Sequence, residues 1–446
     1  MVTAGLDAWM NGEFVGTWRV RRGVHAFTYA ASWRDSGKSR PLSLSLPLTR
    51  TLELRGEVVA HYFDNLLPDN ERIRERIGRR FGTRTLDAFA LLRAIGRDCV
   101  GAVQLLPEGA APEGWDRVDC EPLTDAQVAD ALRAVPDDPL ARAGDDAPPF
   151  RISLAGAQEK TAFARVDGRW CRPLGATPST HIFKLPLGVI ANTTRVDMFD
   201  SVENEWLCAR IVRALGLPIA TSEMATFGDQ RALVVERFDR AWMDGGRWIA
   251  RLPQEDFCQA LGLPPHLKYE SDGGPSVAAG LALLAGSTDA GTDRLAFQLA
   301  QLAFWLLAAP DGHAKNFSIF LRQGHAYELA PLYDVLSVWP YVGRGRGQLH
   351  ASQVRLAMAL RSRNAHYEIR TIRARHWHDL ALRQGGPRVW RAMRELVERV
   401  APALDRVGRE LPKGFPERIR APIFEGLRGQ AALFLADARG LDDRAD

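Results

Sequence analysis

Asp311-Gly312-His313-Ala314-Lys315-Asn316, followed by Leu332-Tyr333-Asp334, carries the residue types that ATP-dependent phosphoryl transfer requires. An aspartate can accept the proton of an attacking hydroxyl. An asparagine five positions on and a second aspartate downstream can hold Mg²⁺ against the phosphates. The Asp-to-Asn spacing equals that of the catalytic loop of protein kinases. A loop this short can aim both side chains at one phosphoryl group. On its own the hexapeptide is a weak signal, since Asp-Gly commonly marks a turn. Its weight comes from what surrounds it.

The elements that must position the loop can be read on either side. Residues 295–309 form an apolar run that predicts a buried helix stopped by Pro310. Residues 317–321 and 326–329 predict a strand pair turning at Gly324. Upstream, His181-Ile-Phe-Lys184 alternates as a strand, and Lys184 at its end can reach α- and β-phosphates. The helix predicted over 202–215 offers Glu203 or Glu205 as a partner for that lysine, with Gly216 as its stop. Ala155-Gly156-Ala157-Gln158-Glu159-Lys160 lies where a phosphate-covering loop belongs, and its small residues let backbone N–H groups approach an anion. Ser153 is a hydroxyl beside that turn, either a cap or a phosphorylation site. Glu236-Arg237-Phe238 sits where a hinge could offer backbone groups to adenine, and Gly343-Arg-Gly-Arg-Gly347 is a flexible basic loop.

With 446 residues the chain fits two or three domains. The apolar share of 46% and the charged share of 25% are those of an ordinary globular protein. A net charge of +4, from 58 basic and 54 acidic residues, is too mild to indicate nucleic-acid binding by the whole surface. Five scattered cysteines without a C-x-x-C pair predict free thiols in a reducing cytoplasm. The first residues lack the pattern of a signal peptide, and the 295–309 run is too short and too polar to span a membrane.

The opening residues predict β structure, with Asn11-Gly12 as a hairpin turn. Strands are expected at 24–30 and 42–46, a helix capped by Asp69 and ended by Gly82, and another over 86–95. Residues 107–119 and 136–149 read as linkers. Short strands follow at 161–166, 181–184, 223–226 and 231–236, and beyond about residue 250 the pattern is almost wholly helical apart from the catalytic hairpin. The expected architecture is α+β and two-lobed, like a protein kinase. It divides into an amino-terminal subdomain (1–140), a β-rich nucleotide-binding lobe (141–250) and a helical catalytic lobe (251–446).

Taken together these motifs resemble the HipA-type serine/threonine kinases, the toxins of bacterial toxin–antitoxin pairs. The resemblance rests on Phe63-Asp-Asn-Leu-Leu-Pro-Asp-Asn-Glu-Arg72, Gly96-Arg-Asp-Cys-Val-Gly-Ala102 and Ile152-Ser-Leu-Ala-Gly-Ala-Gln-Glu-Lys-Thr-Ala162. It rests equally on Glu203-Asn-Glu205, Glu236-Arg-Phe-Asp239, Asp311 to Ser318 and Pro331-Leu-Tyr-Asp334. It covers nearly the whole length, amino-terminal region included. It implies Asp311 as general base, Asn316 and Asp334 as Mg²⁺ ligands, and Lys184 on the phosphates. ATP would be held further by Ala155 to Lys160, Glu236 to Phe238, His313, Ala314, Lys315 and Tyr333. It implies autophosphorylation of Ser153, which would expel its loop and switch the kinase off. The implied target is an aminoacyl-tRNA synthetase, glutamyl-tRNA synthetase being the best known. The implied partner is a HipB-like helix-turn-helix antitoxin through which the toxin reaches operator DNA as corepressor. Pro310 departs from the family, many of whose members carry a polar residue before the catalytic aspartate. A catalytically silent corepressor and a small-molecule kinase are the competing readings.

Overall fold

A computed structural model describes residues 5–135, 153–156, 158–191 and 195–441. The linker expected over 136–149 lies outside these residues, as does Ala157. The chain forms two compact units: residues 1–185, 225–268 and 318–330 make the first, and residues 186–224, 269–317 and 331–446 the second.

The first unit begins with a five-stranded antiparallel sheet, in the order Glu53–Arg55, Val24–Tyr29, Glu13–Arg21, Leu6–Met10, Val103–Pro107. Asn11 and Gly12 both take positive φ, 47° and 81°, so the first hairpin closes through the turn that the pair favours. Trp18 stacks on Phe63 at 4.0 Å inside a core that also buries Phe27, Tyr29 and Leu92. Helix Glu71–Phe81 ends at Gly82, whose φ of 62° suits a residue without Cβ. Its cap is Asn70 and not Asp69. Asp69 faces Lys268 at 2.8 Å instead, so a neighbouring cation claims that carboxylate before the helix can. Residues 42–46 do not form a strand. They turn on a Ser43–Leu46 bridge, and the Oγ atoms of Ser43 and Ser45 donate to the Gln259 carbonyl at 3.2 and 2.7 Å. Alternation there reflects buried leucines between serines with their own acceptor, with no ladder to join.

A second sheet runs in the order Ser222–Phe227, Gln230–Glu236, His181–Lys184, Lys160–Val166, Arg169–Pro173, Cys120–Pro122. One face buries Phe163, Phe183 and Val234 with Val128 and Leu132 of helix Asp125–Arg133. Because side chains alternate along a strand, Lys160, Ala162, Ile182 and Lys184 belong to the other face. The strand pair Ser318–Leu321 and Tyr327–Leu329 joins Gln254–Asp256, as a hairpin with Gly324 at φ 70° between its strands.

Helices dominate the second unit. Helix Ala290–Leu307 is its buried axis, with Trp305 against Trp377 at 5.9 Å and Phe434 at 6.3 Å. It leaves the helical path at Ala308, where φ is 46°, before Pro310 can act as the stop. The left-handed residue lets the Ala309 N–H close back on the Phe304 carbonyl at 2.8 Å. The antiparallel strands Arg355–Arg361 and Ala365–Glu368 interrupt the expected helical run. No helix among the described residues is long and apolar enough to cross a membrane, and none of the five cysteines is in a disulfide.

Sequence reading missed a buried ionic cluster in the first unit. Asp98 lies 3.0 Å from Arg240, 3.4 Å from Arg251 and 3.5 Å from Arg237, and accepts from the Ser179 N–H and hydroxyl at 3.0 and 2.6 Å. Asp239 pairs with Arg237 at 2.8 Å and Arg240 at 3.0 Å and accepts from the Gly101 N–H at 2.7 Å. Burial alone would raise the Asp98 pKa, but Arg240, Arg237 and Arg251 outweigh it and hold the carboxyl well below the usual range. Removing one partner leaves buried charge uncompensated, so Asp98→Ala is expected to destabilise the protein by about 3–5 kcal/mol. A folded-state pKa below the unfolded one means that the Asp98 contribution is full above the ordinary aspartate pKa. It is lost as pH falls through the folded value. Thermal unfolding of wild type and variant across that range checks both statements; an unchanged transition would refute them.

Candidate active site

In the first unit, register places Lys184 directly opposite Lys160 on paired strands. Like charges in that relation are unfavourable unless an anion or other acceptors compensate. Lys184 is buried, and Lys160 Nζ donates to the Ala155 carbonyl beside Gly156. Gly156 has φ 107°, so backbone shape favours glycine there, and a Cβ would displace the Lys160 ammonium, which it would meet at 2.6 Å. The two lysines and the small-residue turn form one basic corner. Gln158 Nε2 donates to the Leu185 carbonyl at 2.6 Å, while the Glu159 carbonyl accepts from the Leu185 N–H at 3.2 Å. These bonds tie the turn to the strand end that carries Lys184. Ser153 is fully buried, its Oγ donating to the Leu66 carbonyl at 2.7 Å.

The three residues expected at a hinge diverge. Glu236 is exposed at the end of its strand, opposite His181. Burial and Arg165 hold that imidazole down at about 4, so it is neutral near pH 7. Arg237 is only 4% exposed and its guanidinium is committed to Asp239, Ser179 and the Cys99 carbonyl. Its backbone is engaged too, the N–H donating to the Thr180 carbonyl at 2.9 Å and the carbonyl accepting from the Arg240 N–H at 3.3 Å. Phe238 packs edge-on against Phe320 at 5.7 Å.

The second unit holds the other half of the expected set. Asp311, just beyond the buried helix, keeps 57% of its side chain exposed. Gly312 packs under Phe304, where a Cβ would lie 3.0 Å from the ring. A single 3₁₀ turn, Ala314–Asn316, folds back so that Asn316 Nδ2 donates to the Asp311 carbonyl at 2.7 Å. With its nitrogen so anchored, the amide oxygen is the atom suited to a hard cation. The Tyr333 hydroxyl donates to the Lys315 carbonyl at 2.8 Å and ties the Asp334 segment to this turn. Asp334 has φ 56°, a conformation that a non-glycine residue adopts at a cost and that clusters at functional sites. Its segment is held from behind by the Leu332 N–H on the Pro218 carbonyl and the Ala220 N–H on the Leu332 carbonyl, at 2.9 and 2.8 Å. An amide oxygen and a carboxylate, on segments joined by the Tyr333 bond, are donor types that Mg²⁺ takes, with waters and phosphate oxygens for the rest. Glu203 and Glu205 are both buried on helix Ser201–Ala214.

Tyr269 is a component that sequence reading missed. Its hydroxyl donates to Asp311 Oδ1, and its ring packs edge-on against His313 at 4.9 Å. His313 Nε2 lies 3.9 Å from the same carboxylate oxygen. A tyrosine 42 residues upstream of the aspartate carries no local signal of this contact.

Comparison with known proteins identifies the family. A model of the HipA-like C-terminal domain matches residues 152–407, and one of the HipA N-terminal domain matches residues 6–106. A putative kinase of Sinorhizobium fredii is 37% identical over 346 residues, spanning 76% of this chain and 79% of its own. The serine/threonine-protein kinase toxin HipA of Shewanella oneidensis is 30% identical over 331 residues, or 71% of this chain and 70% of its own. Among solved structures, the chain is similar to one from the Shewanella oneidensis MR-1 complex of HipA, HipB and operator DNA. The TM-score is 0.79 at 25% identity, covering 98% of this chain and 99% of that one. Both characteristic domains are therefore present on an α+β, kinase-like fold, and the chain belongs to the HipA family.

Proposed function

We propose that this protein is a Mg-ATP-dependent serine/threonine-protein kinase acting in the cytoplasm as the toxin of a toxin–antitoxin module. The observation that carries this reading is the braced turn on which Asp311, Asn316 and, through Tyr333, Asp334 are held together. An exposed carboxylate fixed by Tyr269 is suited to take the proton of a substrate serine hydroxyl as its oxygen attacks the γ-phosphorus. Asn316 and Asp334 would hold Mg²⁺, which when bound offsets charge on the phosphate oxygens. Lys184, with Lys160 and the Gly156 turn beside it, would take the α- and β-phosphates. Glu236 to Phe238 would meet adenine through backbone groups.

The protein substrate in this reading is an aminoacyl-tRNA synthetase, such as glutamyl-tRNA synthetase, whose phosphorylation would stop translation and promote growth arrest. A helix-turn-helix antitoxin like HipB would neutralise the toxin and bring it to operator DNA as corepressor. The support for this partner is the Shewanella oneidensis complex, in which the similar HipA chain is assembled with HipB and its operator DNA. Ser153 is the proposed autophosphorylation site. Its Oγ is buried against a carbonyl, so a phosphate there would break that bond and force a dianion out of the interior.

Incubation with γ-labelled ATP and comparison of phosphoproteomes from cells expressing wild type or Asp311→Ala test the reading together. Label on protein serine that depends on Asp311 is expected. Label on no protein would overturn the reading, leaving a silent corepressor or a kinase of small molecules. Loss of the base in Asp311→Ala should lower turnover by roughly 10²–10⁴-fold, with nucleotide affinity nearly intact. Asp334→Ala should instead weaken Mg²⁺-dependent nucleotide binding by at least roughly tenfold, read by calorimetry with and without the metal. Normal turnover in the first variant, or unchanged affinity in the second, would refute that residue's assignment.

A further inference from the structure

A turn built around Ala155 and Gly156 has little side chain with which to pack itself, and glycine loses the most backbone freedom on ordering. Beyond the bonds to Leu185 and Lys160, much of its order comes from the amino-terminal domain. The Ser153 N–H donates to the Asp98 carbonyl at 3.0 Å, and its hydroxyl to the Leu66 carbonyl at 2.7 Å. The Asp69 N–H donates to the Gly156 carbonyl at 3.1 Å, where Pro68 and Gly156 form a parallel bridge. The Arg76 guanidinium, from helix Glu71–Phe81, pairs with the Glu159 carboxylate; their side chains are 18% and 30% exposed.

The supporting segment is itself rigidly held. Arg74 binds Asp64 at 2.7 Å and the Pro68 carbonyl at 2.6 Å, and Lys268 holds Asp69 at 2.8 Å. These supports come from residues 66–98, inside the span matched by the N-terminal domain, and add to the bonds that Leu185 and Lys160 make with the turn, which opens the span matched by the C-terminal one.

We propose that residues 66–76 are a clamp by which the amino-terminal domain sets the phosphate-facing turn, with Arg76 a positioning residue acting through Glu159. This inference rests on the kinase reading for its consequence, nucleotide affinity, but its structural part stands separately. The clamp makes ATP binding dependent on a segment that contacts no phosphate. It also opposes exposure of Ser153, since the bonds that set the turn are those that bury the hydroxyl.

The test uses full-length Arg76→Ala, Arg76→Gln and Arg76→Lys, with Mg²⁺ and a non-hydrolysable ATP analogue in calorimetry, kinetics, and hydrogen exchange of peptides covering Ser153 and Asp69. Loss of a half-buried ion pair should weaken analogue binding and raise the ATP KM about three- to tenfold in the alanine and glutamine variants. Turnover at saturating ATP should stay near wild type, and exchange of the Ser153 and Asp69 amides should quicken without a shift in the global unfolding transition. Arg76→Lys, which keeps the charge, should retain most of the affinity. Wild-type affinity together with wild-type exchange in a folded alanine or glutamine variant would overturn the clamp. Should wild type itself bind no nucleotide, the kinase reading falls, and the exchange data alone still decide whether Arg76 orders the turn.

Discussion

Three arginines and two aspartates share one dry site in the first unit, and neither sign could be buried there without the other. Asp98 reaches this site from the loop after helix Ala88–Ile95, while Arg237, Asp239 and Arg240 reach it from the end of strand Gln230–Glu236. The cluster is therefore the joint between the amino-terminal sheet and the sheet that carries Lys184. Solvating these charges in the unfolded chain is easy, and burying them is tolerable only in one arrangement. Such a joint does more to specify the geometry than to add stability. Asp98 has a second task, since its carbonyl also receives the Ser153 N–H. One loop thus anchors both the segment from Arg237 to Arg240 and the chain that enters the Gly156 turn.

The second unit solves the opposite problem. Its Asp311 carboxylate is exposed, so what rigidity it has comes from the backbone and its hydrogen bonds and not from burial. Helix Ala290–Leu307 is locked by Trp305 and capped through left-handed Ala308, and the chain then spends only a few residues before the 3₁₀ turn. Asn316 grips the Asp311 carbonyl, Tyr333 grips that of Lys315, and Tyr269 fixes the carboxylate. Asp334, at φ 56°, is strained as Ala308 is, and the bonds around Leu332 can sustain it.

Motifs whose meaning is local were legible from the chain. Asn11-Gly12 declared its turn because two successive positive φ angles suit few residue pairs, and Asp311 with Asn316 declared a short functional loop through their spacing. The strand over 181–184 followed from alternation, and its cross-strand partner Lys160 became a second cation at the site only when register was known. Alternation misled at residues 42–46, where serine hydroxyls found an acceptor on Gln259 more than two hundred positions away. Arg237 entered the expected nucleotide site through its place in a segment where a hinge would offer backbone groups to adenine. The charges face inward because Asp98 is waiting there.

By itself the sequence determined the types of group available and their local spacing: two aspartates and an asparagine, a basic strand end and a turn of small residues. These follow from chemistry carried within a few residues of one another. Only the tertiary structure decided which carboxylate is buried in an ion pair or left exposed, which side chain caps a helix, and which segment packs on the Gly156 turn. Tyr269 on Asp311 and Arg76 on Glu159 are contacts between residues 42 and 83 positions apart. Pairings of that kind are fixed by how whole elements pack and exclude water, and no short stretch of the chain encodes them.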